Sequence, residues 1–166
     1  MILSVNRDFR PQSLFASVWF AGAWVGTSLM STAGSRLSVV ASTPHGQMTQ
    51  ETNVPDRFAL IPHPPAANAW QVGAYDRSRG GLQSIPLYDL QTRLPGPGNM
   101  FGALNATPME YLGVARIDVP AGRFDADHYR CGDSEIWVHG PDAIIVRFLW
   151  ATVGEEYVLT SLQQGR

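Results

Sequence analysis

A chain of 166 residues with 45% apolar and 16% charged side chains carries too little charge for disorder and enough apolar matter for a buried core. The formal net charge of −2 gives nucleic acid or a membrane surface no electrostatic footprint, so neither is an expected partner. All twelve basic residues are arginine, which excludes lysine Schiff-base and P-loop chemistry, and the single cysteine, Cys131, excludes an intrachain disulfide or a cysteine-built zinc site.

The stretch from Pro11 to Ser35 contains no charged residue and follows Arg7 and Arg10, an outline shared by signal peptides and short membrane spans. Gly22, Gly26 and the polar Ser13, Ser17, Thr27 and Ser28 interrupt it, Trp19 and Trp24 sit at its centre, and the sequence starts at Met1. The expectation is therefore two strands, about residues 13–20 and 23–30, joined at Ala21-Gly22. A cytoplasmic location is expected with them, and a lone thiol suits such a reducing compartment.

Residues 35–42 and 47–53 continue as strands. A strand over 57–61 runs into Pro62-His63-Pro64-Pro65, which must be loop because its prolines donate no backbone hydrogen bond. Strands are expected over 70–75 and 82–88, a Pro/Gly-rich loop over 94–99, and a short helix over 100–104. The last third reads as five strands over 111–119, 123–130, 135–139, 143–150 and 155–162, with turn residues between them. Short strands with tight links pair in sequence order. The expected fold is one all-β domain over residues 1–166, an antiparallel up-and-down barrel or strongly curved sheet with few or no helices.

Strand side chains alternate between faces, so hairpin pairing assigns each residue to one side. A loop over Cys131–Ser134 sets Arg130 opposite Glu135, His128 opposite Trp137 and Ala126 opposite His139. A two-residue loop at Gly140-Pro141 sets Trp137 opposite Ile144 and Glu135 opposite Val146. One face then carries Phe124, Trp137, Ile144, Val146, Phe148 and Trp150 together with His128, Arg130, Glu135 and His139. Asp125, Asp127, Tyr129 and Arg147 fall on the other, which is expected to meet water. An apolar surface with a few convergent polar groups suits a small-molecule site, while an Arg130–Glu135 cross-strand ion pair is the plain structural alternative. A second cluster, His63, Asn68, Trp70, Tyr75 and Asp76, is expected where the proline-rich loop caps the sheet. No G-x-S-x-G, H-E-x-x-H, C-x-x-C or strand-following G-x-G-x-x-G motif occurs, and the four histidines lack helical metal-ligand spacing, so neither cofactor nor metal is expected.

Val119-Pro120-Ala121-Gly122-Arg123-Phe124, Glu135-Ile136-Trp137-Val138 and Tyr157-Val158-Leu159-Thr160 together resemble the end of a bacterial family of uncharacterised β proteins. In that family a V-P-A-G-x-F turn leads into a lipocalin-like or lipoprotein-carrier-like curved sheet. The resemblance spans roughly the last 50 residues, implies that fold and apolar ligands, and assigns no catalytic residue.

The leading functional expectation is a cofactor-independent lyase or isomerase that moves protons on a small apolar molecule inside the barrel. His128, Glu135, Arg130 and His63 are its candidate catalytic residues, with Trp137, Phe148, Trp150, Trp70, Tyr75 and His139 shaping the pocket. The runner-up is a carrier that uses the same pocket without chemistry. In the third, the apolar face is an interface with a second subunit, a homodimer.

Overall fold

The computed structural model describes residues 1–61, 65–90 and 100–163. His63 and the expected 94–99 loop lie outside them. Five strands, β1 (Ile2–Val5), β2 (Pro11–Phe20), β3 (Ala23–Ala33), β4 (Arg36–Thr43) and β5 (Gly46–Asn53), pair antiparallel in sequence order. The others are β6 (Ala59–Ile61), β7 (Gln83–Leu90), β8 (Gly102–Val119), β9 (Gly122–Cys131), β10 (Ser134–His139), β11 (Ile144–Trp150) and β12 (Glu155–Val158). They form a seven-stranded sheet in the order β12-β11-β10-β9-β8-β7-β6, in which β6 and β7 run parallel. The fold is thus mostly β, and the last five strands pair in sequence order as expected. No closed barrel is found among the described residues: the sheets end on β1 and β5, and on β12 and β6.

Two local expectations are corrected. Most of the strand expected over 70–75 is instead the end of a 3₁₀ helix, Pro65–Ala74, whose one proline and many small residues lack the alternation of a half-buried strand. The helix expected over 100–104 gives way to β8, which starts at Gly102, where an added Cβ would strike the Tyr88 ring.

The chain divides into two compact units, Met1–Ala74 with Pro86–Ala106, and Tyr75–Ile85 with Thr107–Arg166. In the first, the inward faces of β2, β3 and β4 deliver Leu14, Met30, Leu37 and Val39 to a core shared with Phe58, Leu60, Tyr88 and Leu90. The Tyr88 hydroxyl donates to Gln50 Oε1 at 2.6 Å and accepts from the Gly102 amide at 2.8 Å, so this buried polar group is satisfied in both directions. The β2–β3 hairpin turns on Ala21 and Gly22 with φ of 49° and 80°, the left-handed pair a two-residue turn needs.

In the second unit β8 to β12 form a meander. Gly113, at φ 105°, stands at the irregularity that leaves Leu112 unpaired and sets it opposite His128. One side of this meander buries Met109, Tyr129, Cys131, Ile136, Val138 and Phe148. The other buries Ala126, Trp137 and Val146, against which Ala115, Ile117, Val119, Phe124 and Leu149 pack. Apolar residues occupy both sides.

Candidate functional site

The β9–β10 hairpin has the expected register. Arg130 is opposite Glu135 and His128 opposite Trp137, with Gly132 and Asp133 forming the turn. The ladder between these strands runs from Ser134 opposite Cys131 to Val138 opposite Asp127.

The β10–β11 register differs from expectation. The link is four residues, Gly140 to Ala143, closed by the Ala143 amide donating to the Gly140 carbonyl at 3.2 Å. Pro141 is thereby the second residue of a β-turn, the position its fixed φ favours. With a further irregularity between Trp137 and Val138, Trp137 faces Arg147, Ile136 faces Phe148 and Ser134 faces Trp150. Arg147 therefore joins the His128 face, whereas Phe148 and Trp150 move to the opposite one. Tyr129, expected to meet water, is buried on that opposite face.

His128, Trp137 and Arg147 are consecutive partners across three strands, which seats the indole between the other two. The imidazole lies 4.2 Å from the Trp137 ring at an interplanar angle of 11°, and the Arg147 guanidinium is 4.8 Å from it. His128 Nε2 meets Glu135 Oε2 at 2.7 Å, the two side chains being 18% and 33% exposed. A carboxylate can only accept, so in the neutral ring Nε2 carries the hydrogen and Nδ1 keeps its lone pair. That is the tautomer of a base oriented by an acid. Arg147 Nε donates to Glu156 Oε1 at 2.6 Å, which fixes the cation against the indole. Arg130 turns from Glu135 to Glu110 on β8, at 3.6 Å.

The remaining expected residues scatter. His139 Nδ1 lies 2.9 Å from the Asp125 carbonyl oxygen, its ring edge-on to Phe124. Phe148 packs on Tyr157, and Trp150 Nε1 donates to Asp133 Oδ2 at 2.9 Å. Tyr75 is buried with its hydroxyl donating to the Gly81 carbonyl at 2.6 Å, and Trp70 belongs to the 3₁₀ helix of the first unit. Among the described residues no group of three or more His, Cys, Asp or Glu is placed to hold a metal ion.

A polar cluster that the sequence did not single out lies in the second unit. Arg77 grips Asp127 with two bonds of 2.9 and 3.2 Å, Tyr111 donates to the same carboxylate at 2.8 Å, and the guanidinium lies 4.1 Å from the Tyr111 ring. Tyr129 packs beside it, and burial pushes its hydroxyl up to about 12. Burial likewise pushes the Cys131 thiol up to about 12, far from the thiolate a nucleophile needs. Comparison of the chain with protein-family models, with curated proteins and with solved structures returns no match.

Proposed function

We propose that the protein catalyses proton transfer on a small, partly apolar molecule, as a cofactor-independent isomerase or lyase, with His128 as the base. The 2.7 Å His128–Glu135 contact carries this reading, because it supports one tautomer and one ring orientation on a face that remains partly open. His128 Nδ1 takes a proton from an acidic C–H bond. The ring returns it at another carbon, or to a leaving group, while Glu135 offsets the charge the ring carries in between. A substrate laid along the Trp137 edge meets the imidazole at one end and the Arg147 guanidinium at the other.

The apolar residues that continue from Trp137, namely Ile117, Phe124 and Leu149, favour a second reading, a lipocalin-like carrier that holds an apolar ligand unchanged. Proton exchange separates the two. A panel of small ketones and enones is incubated with the protein in deuterated water, and loss of the α-proton signal is followed by NMR. The wild-type chain should accelerate exchange of at least one compound, and His128→Phe, which keeps an aromatic ring on the indole, should lose roughly 10²-fold or more. Equal rates for both chains across the panel would refute the catalytic reading. Saturable binding without exchange would support the carrier.

A further inference from the structure

The outward face of the five-stranded sheet has an order that its inward face explains only in part. Alternation requires every second residue to point away from the core, but not that these residues be apolar. Ile2, Phe15, Leu29 and Val40 are directly opposite one another across β1 to β4, a continuous row at right angles to the strands. They are 69%, 44%, 53% and 39% exposed, where isolated surface hydrophobics would be unremarkable and a row is not. One flank is a row of hydroxyls, Ser4, Ser13, Ser31 and Ser38, and the other is Ser17, Thr27 and Ser42. An apolar centre inside a polar rim is the pattern of a protein interface.

We propose that a second copy of this chain covers that face. Within these strands the face holds only two charged side chains, Arg36 and Glu51, paired with each other at 3.7 Å near one corner. A nucleic acid or an anionic lipid surface finds no free cation there, and two copies meet without like-charge repulsion. The pattern is also self-complementary. A two-fold axis along the apolar row lays that row on its own copy and each hydroxyl row on the other, with strands aligned as in a sandwich. Strands about 4.8 Å apart and a rise of about 3.3 Å per residue give the face roughly 700 Å². That is close to the ~800 Å² per partner of a standard stable interface.

Sedimentation of the full chain over a concentration series tests this. The wild type should dimerise with a dissociation constant that does not rise between about 50 and 500 mM salt, because no ion pair crosses the interface. Phe15→Glu with Leu29→Glu, checked for native far-UV dichroism, should raise that constant about 100-fold or more. Because facing sheets are ~10 Å apart, too far for a direct disulfide, a Leu29→Cys chain with Cys131→Ser is treated with a bis-maleimide of about that span and should give a covalent dimer. A wild-type chain monomeric at every concentration overturns the proposal, as does a dimer that salt dissociates or that the folded double variant keeps. Flotation of the monomer with neutral lipid vesicles overturns it in favour of a bilayer. Should the double variant fail to fold, absence of the cross-linked dimer is decisive against it.

Discussion

The coupling between His128 and Glu135 is measurable without knowing a substrate. The perturbation is a double-mutant cycle of His128→Phe, Glu135→Ala and both together. Phe keeps the stack on Trp137 and Ala leaves no acceptor, so each single change removes the contact without making a new one. A hydrogen bond to a charged partner contributes about 1.5–3 kcal/mol when buried. Glu135 is 33% exposed and can recruit water, which screens the pair, so the expected coupling is nearer 1 kcal/mol. The assay is urea unfolding of the four chains, joined to amide exchange on β9 and β10, which reads local opening where the pair sits. A coupling below about 0.3 kcal/mol, the scatter for independent sites, would mean that the contact does not hold the ring, and the tautomer argument would fall.

Two further predictions concern buried acids. A thiol that ionises at about 12 exposes about a thousandfold less thiolate at pH 8 than one at its usual 9, so Cys131 should react with a disulfide reagent only at the rate of local opening; rapid stoichiometric labelling of native protein would contradict this. The same elevation is a stability statement. Cys131 and Tyr129 stay neutral in the fold to about 12, above their usual 9 and 10, so their contribution is complete below pH 9 and is lost as pH rises from 9 towards 12. For Cys131 the loss is roughly 4 kcal/mol at the upper end. The urea midpoint should fall through that window, and less steeply in Cys131→Ala; a midpoint flat to pH 11 would refute it.

The strands were legible because their signals are local. Ala21-Gly22 between uncharged alternating runs, and the Gly and Asp residues of the last third, mark turns by backbone chemistry that tertiary context does not override. The 3₁₀ helix was not legible, since Trp70 to Tyr75 holds an aromatic at each end and reads as a strand by composition. One turn also misled. Gly140-Pro141 looks like a two-residue link, yet Pro is favoured one position into a β-turn, which makes the four residues Gly140 to Ala143 the turn.

The irregularity between Trp137 and Val138 decides the site, because the longer link alone moves each partner by two residues and keeps the faces, and the extra residue there makes the total shift odd. A shift of register by an odd number of residues exchanges the faces of a strand, so Phe148 and Trp150 left the His128 side and Arg147 arrived there. Pairing of His128 with Trp137 survived because it depends on the other hairpin. The assignment of one face to water failed for a different reason. It treated the sheet as two-sided, apolar within and polar without, whereas Tyr129 and Ile136 are buried on one side and Ala126, Trp137 and Val146 on the other. When both faces are covered, polarity no longer tells inside from outside, and a polar residue is informative only through its partner. His128 has Glu135, Arg147 has Glu156, and Asp127 has Arg77 with Tyr111. Of these only the first joins an imidazole to a carboxylate, which is why the proposed proton transfer is assigned to His128.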